Sequence, residues 1–344
     1  MTKRGGRGTG LGTTTSLEAA ITAAAELLVR ARDVTLLAHV NPDADSLGSA
    51  LALGIALRRH GATVRVSFAS PARVPETLVP LDVLGLVVGP EQVPAAPELL
   101  VLCDAAEPSR LGALANRLDC AEASLMIDHH TTNPGYGGVQ VLDPDAEATV
   151  VLVHRVLVAM GEPIDADIAR CLYAGLVTDT RGFRTAGEAA HRIAADLLAA
   201  GVEAEAVARP IMDTHPYGWL ATLGEVLQRV ELEPEAGDGF GLVHASVPLE
   251  DVSRFRPEEV DSIVDVLRTV AEAEVAAVLK QVGQRRWVTS LRSKGRVDVA
   301  KVAALLGGGG HRAAAGFTYD GTKGDVLAAL RSALSALDAV ERLA

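Results

Sequence analysis

The sequence predicts an α/β protein of two domains, the larger built on a parallel sheet, and three observations carry that expectation. Its 344 residues exceed one average domain and suit two. Short apolar runs alternate with helical patterns through the first half, the signature of a mostly parallel sheet covered on both faces. A Pro-Glu-Ala-Gly-Asp-Gly run at 234–239 then opens a second, shorter α/β series.

Taken in order, residues 1–14 are rich in Gly, Thr and Arg and read as a disordered arm without the apolar core of a signal peptide. A helix from Ser16 to Arg32 leads into an apolar strand, Val34–Ala38. A helix from Ser46 to His60 ends at Gly61, a residue suited to the left-handed position after a helix. Strands follow at Thr63–Ala69, Leu99–Cys103 and Ser124–Ile127, then helices at Ala148–Met160 and Ile164–Thr178. The first domain is expected over 15–188. A helical connector over 189–233, broken by Gly201, Pro210 and Pro216, joins it to a second domain over 234–344. That domain holds strands at Phe240–Ser246, Glu274–Lys280 and Trp287–Arg292, and helices at Pro257–Val270, Val297–Leu306 and from Asp325. No solenoid repeat is present.

Composition narrows the function. Hydrophobic residues at 49% and charged ones at 22% suffice for a buried core. A net charge of -12 argues against a long nucleic-acid track, and 3% aromatics leave few rings for base stacking. A small phosphorylated substrate held through metal ions stays compatible, because divalent cations invert the local charge. Cys103, Cys120 and Cys171 are an odd number without a CxxC pair, which fits a reducing compartment and supplies no zinc or disulfide framework. No run of about 18 uncharged apolar residues occurs, so no membrane span is expected and the chain reads as cytoplasmic.

Polar clusters fall just after the strands, where open α/β sheets place their ligands. His39-Val-Asn-Pro-Asp43-Ala-Asp45-Ser-Leu-Gly48 puts an imidazole and two carboxylates in a strand-to-helix loop that Pro42 and Gly48 help to turn. Mixed nitrogen and oxygen donors suit Mn²⁺ or a similar ion better than Ca²⁺. The competing reading is an Asp-rich helix cap. Asp104 closes the strand Leu99–Cys103 and can bridge two metals, or can be a turn residue. Asp128-His129-His130 leaves a buried strand, and titratable groups this dense point to a site. Asp179 ends an apolar helix, where the negative pole of the dipole disfavours an acid unless a cation is near. In the second domain, Gly307–Gly310 followed by His311 and Arg312 can cup an anion or form a flexible loop. Residues 280–312 hold eight Lys/Arg against the single acid Asp298, an expected anion-facing surface.

In this order the clusters resemble the DHH phosphoesterase superfamily, named for a motif such as Asp128-His129-His130, with Gly309-Gly310-His311 similar to the Gly-Gly-His element of its DHH-associated domain. The size and that ending resemble the nanoRNase and cyclic-di-AMP phosphodiesterase branch, and the Ala/Val/Arg-rich composition resembles actinobacterial members. The resemblance implies a hydrolase with its active site in a cleft between an N-terminal DHH domain and the DHH-associated domain. Its substrates would be short oligoribonucleotides and linear or cyclic dinucleotides, and 3′-phosphoadenosine 5′-phosphate, with 5′-mononucleotides as products. It implies two divalent ions, Mn²⁺ foremost: one on His39, Asp43 and Asp104, the other on Asp45, Asp104, His129 and Asp179. His130 would meet the scissile phosphate, with Asp128 orienting the histidines. Arg292, Gly309, Gly310 and His311 would hold the substrate's far end. A homodimer is the expected assembly, with no long nucleic acid and no membrane as partner. The rivals are an inorganic pyrophosphatase of the same superfamily, a RecJ-type exonuclease on long single strands, and a non-catalytic nucleotide sensor.

Overall fold

The computed structural model describes residues 16–337, so the arm expected at 1–14 lies outside the described residues. Contacts divide the chain into two compact units. One runs to His129 and resumes over Asn133–Met212; the other holds His130–Thr132 and the described residues from Asp213.

In the first unit, helix α1 (Leu17–Arg30) is capped by Ser16, and strand β1 (Asp33–Leu37) follows. Helix α2 (Ala44–Arg59), strand β2 (Thr63–Ser67) and strand β3 (Leu99–Cys103) come next. A one-turn helix α3 (Arg117–Cys120) precedes strands β4 (Ala123–Asp128) and β5 (Val139–Leu142). Helices α4 (Thr149–Ala159), α5 (Ala166–Asp179), α6 (Glu188–Ala199) and α7 (Ala204–Met212) complete it. The strands form one sheet in the order β2-β1-β3-β4-β5, and every pairing is parallel. Strand β3 is buried along its whole length, as expected where both faces of a parallel sheet are covered. One face packs on the helices through Val34, Leu36, Val101 and Ile127. The other, through Leu37, Leu100, Leu102 and Met126, is covered by Val93, Leu111 and Leu114 from short 3₁₀ turns and loops. Helices α6 and α7 add Ala190, Leu197 and Val207 to the first core.

Gly48 does not shape a turn. It lies inside α2, and a Cβ there would stand 2.5 Å from the Cys171 carbonyl oxygen of α5. The missing side chain lets the two helices approach closely. Gly48→Ala is expected to cost about 1–3 kcal/mol by overpacking, read as a lower urea midpoint. A midpoint matching the parent would rule out this contact.

The second unit starts with helix α8 (Tyr217–Leu227), strand β6 (Glu231–Glu233), a kinked turn α9 (Ala236–Gly239) and strand β7 (Leu242–Val247). Short helix α10 (Leu249–Val252), helix α11 (Pro257–Leu267) and strands β8 (Val275–Gly283) and β9 (Arg286–Ser293) follow. Helix α12 (Val299–Leu305), strands β10 (Gly309–His311) and β11 (Ala314–Asp320), and helix α13 (Lys323–Ser335) end it. The sheet order is β10-β11-β9-β8-β7-β6, with β7 and β8 parallel and the other pairings antiparallel. Trp219 and Val226 of α8 join the core against α11 on one face; α12 and α13 cover the other. Among the described residues no helix is long and apolar enough to cross a membrane.

Candidate metal centre

Six side chains from four separated segments of the first unit gather at the carboxyl ends of β1, β3 and β4, and they are the six predicted as ligands. The ring of His39 is buried beyond the end of β1, and its Nδ1 donates to the Val40 carbonyl at 2.8 Å. That bond turns Nε2 inward, 3.4 Å from Asp43 Oδ2 and 3.5 Å from Asp104 Oδ2. Nε2 is buried and makes no hydrogen bond to the described residues. His129 repeats the pattern after β4: Nδ1 donates to the Ala146 carbonyl at 3.0 Å. Its Nε2 then lies 3.3 Å from Asp179 Oδ2, 3.7 Å from Asp104 Oδ1 and 3.8 Å from Asp45 Oδ2. Fixing one ring nitrogen on a carbonyl so that the other is presented is the usual way a protein prepares a histidine for a metal.

Asp104 stands between the two groups. Its Oδ2 faces His39 and its Oδ1 faces His129. The residue has φ 59°, a left-handed conformation that Asp tolerates better than most side chains and that ends the strand. Asp43 caps α2 through a capping box with Ser46, and its other oxygen turns to His39. The helix begins at Ala44 rather than Ser46, so Asp45 sits in the first turn, fully buried.

Asp45 is held from an unexpected direction. Helix α4 begins after Ala148, which has no side chain able to cap it. The orphaned N–H groups of Thr149 and Val150 donate instead to Asp45 Oδ2 at 2.7 Å and Oδ1 at 2.9 Å. The Thr149 hydroxyl donates to Asp104 Oδ1 at 2.7 Å. Sequence reasoning missed Thr149, yet a helix start without a capping residue is a signal that an acceptor must come from elsewhere. Asp128 also has a partner outside the expected set: the Asn133 amide donates to its Oδ2 at 2.6 Å. His130 is half-buried and follows His129 directly.

The electrostatics favour a cation. Burial pushes Asp45 well above the usual carboxylate range, and the negative charges of Asp179 and Asp104 add to it. Burial raises Asp179 to about 6, against the pull of His129. Burial opposes charge on His39, but Asp43 and Asp104 outweigh it and lift the ring to about 10. Carboxylates so close and so dry repel one another, and a divalent ion between them relieves both the repulsion and the desolvation. His39, Asp43 and Asp104 bring ligand atoms within 4.8 Å of one another, as do Asp45, Asp104 and His129. The donor set, two imidazoles and four carboxylates, fits first-row divalent ions.

In the second unit, the glycine run is loop only at Gly307 and Gly308. Gly309–His311 form edge strand β10 against β11. Gly310 has φ 142°, and a Cβ there would meet the Ala314 oxygen at 2.5 Å, so strand approach explains this glycine. The basic stretch is largely paired within the unit. Arg292 Nε donates to Asp265 at 3.2 Å, Lys280 binds Asp261 and Ser290, and Arg312 reaches the Gly295 carbonyl at 3.2 Å. Acids of α11, distant in sequence, neutralise charges that read as free.

Comparison with known proteins finds two matching domain families and several relatives. Residues 33–176 match the DHH family, N-terminal domain, and residues 244–340 match the DHHA1 domain. The chain is 35% identical to the bifunctional oligoribonuclease and PAP phosphatase NrnA of Thermus thermophilus, over 86% of this chain and 89% of that protein. It is 26% identical to the cyclic-di-AMP phosphodiesterase GdpP of Geobacillus thermodenitrificans over 90% of this chain, which spans about half (48%) of that longer protein. Among solved structures, an exopolyphosphatase-related protein from Bacteroides fragilis shares the fold with a TM-score of 0.81, 22% identity, and coverage of 94% of this chain and 97% of that one.

Proposed function

Because the chain belongs to the DHH family of phosphoesterases, we propose that it is a metal-dependent phosphodiesterase hydrolysing short oligoribonucleotides and linear or cyclic dinucleotides to 5′-mononucleotides, with 3′-phosphoadenosine 5′-phosphate as a further substrate. The observation that carries this reading is Asp104, whose two oxygens face two separate groups of ligand atoms. His39, Asp43 and Asp104 would hold one divalent ion; Asp45, Asp104, His129 and Asp179 would hold the second, Mn²⁺ being the ion of choice. Such a pair supplies a hydroxide at neutral pH and neutralises charge on a phosphate.

The protein's own groups do the rest. His39 and His129 keep their rings aimed through bonds to the Val40 and Ala146 carbonyls. Asp128, held by Asn133, orients the histidine pair at the end of β4. His130 donates to a phosphate oxygen and passes a proton to the departing alkoxide. Gly309, Gly310 and His311 on β10 would be substrate contacts, with Arg292, which Asp265 holds in this structure, as a fourth.

One panel tests the reading: manganese-loaded protein with pApA, cyclic-di-AMP, 3′-phosphoadenosine 5′-phosphate and pyrophosphate. Release of AMP from the dinucleotides, lost on chelation and restored by Mn²⁺, is the expected result. Turnover of pyrophosphate alone would transfer the assignment to the pyrophosphatase rival, and no turnover of any of the four would leave a sensor.

A further inference from the structure

Thr149 combines three properties that packing alone does not require. It is fully buried at the first position of α4, its N–H donates to Asp45, and its hydroxyl donates to Asp104. A threonine that merely started a helix would sit one residue earlier, with its oxygen accepting from the helix's own N–H groups. Here the hydroxyl points away from its helix to a carboxylate from β3. One residue therefore grips two of the acids, which reach the site on different elements.

The consequences for the two acids differ. Asp45 is boxed: α4 N–H groups cover both oxygens, and Gly175 of α5 packs so closely that a Cβ there would lie 2.8 Å from Oδ1. Asp104, by contrast, receives the Thr149 side chain rather than the helix backbone. The Thr149 hydroxyl binds Oδ1, the oxygen on the His129 side, and leaves Oδ2 on the His39 side. That bond favours the division of the carboxylate between its two neighbours.

Building on the two-cation reading above, we infer that Thr149 is a positioning residue for the metal pair, holding Asp104 in its bridging orientation through the side chain and Asp45 through the backbone. The two functions separate chemically, because Thr149→Val removes the hydroxyl while keeping the shape and the N–H.

The test is a Mn²⁺ titration of the full chain, following free Mn²⁺ by electron paramagnetic resonance below the unfolding temperature. The parent is expected to take up two ions. T149V is expected to bind at least one of them about 10–100-fold more weakly, the range found when a group supporting a ligand is lost. T149S, which keeps the hydroxyl, is expected to restore the parent's affinity, and the Mn²⁺ concentration needed for half-maximal turnover should follow the same order. If T149V does not fold, Thr149→Ala makes the same comparison. A variant that lowers the unfolding midpoint but binds both ions like the parent would reduce Thr149 to a packing residue and overturn the inference alone. A parent chain that binds fewer than two ions would overturn the two-cation reading and the inference with it.

Discussion

Asp104→Asn is expected to abolish hydrolysis and to empty the centre of at least one cation. Asparagine keeps the shape and tolerates the left-handed backbone at φ 59°, so the fold should survive. What disappears is the negative charge that two groups of ligands share. A bound ion contributes several kcal/mol of charge stabilisation in the transition state. Since 1.36 kcal/mol is a factor of ten, loss of one ion's share lowers turnover by about three powers of ten or more. Metal content by mass spectrometry and turnover by AMP release should fall together. A variant that kept two ions per chain would disprove the bridging role.

His130→Ala is expected to separate the two readouts. It follows His129 in the chain, but its proposed work is on the phosphate, so metal content should stay at the parent's level. Loss of a proton donor to the leaving group lowers kcat by about 10²–10⁴-fold. Substrates with a more acidic leaving group should recover much of that loss, because they depart without help. A fall in metal content equal to that of Asp104→Asn would make His130 a ligand instead and contradict this division of labour.

The candidate site is largely legible in the sequence because its residues obey a rule of the fold. Parallel strands end on one edge, so His39, Asp104 and His129 meet although the chain between them is long. Asp179 is legible for another reason: an acid at the negative end of an apolar helix needs an explanation. Less legible is whatever depends on a partner remote in sequence. Gly48 reads as a turn residue until α5 is known to touch it. Arg292 and Lys280 read as free cations until α11 brings Asp265 and Asp261 to them. Strand β5 is short, partly exposed and flanked by Gly137, Gly138 and Pro144, so its period is too brief to stand out. The strand character of Gly309–His311 is hidden because glycine carries no side-chain pattern; only pairing with β11 reveals it.

The capping of α4 by Asp45 has a consequence for how such a protein meets an anion. In many α/β enzymes the positive pole of a helix greets the substrate's phosphate directly. Here that pole is already sealed by a carboxylate of the protein itself. On the proposed metal-dependent reading, attraction for a polyanionic ligand would come instead with the ions those acids hold, and affinity for substrate would rise and fall with the supply of divalent metal.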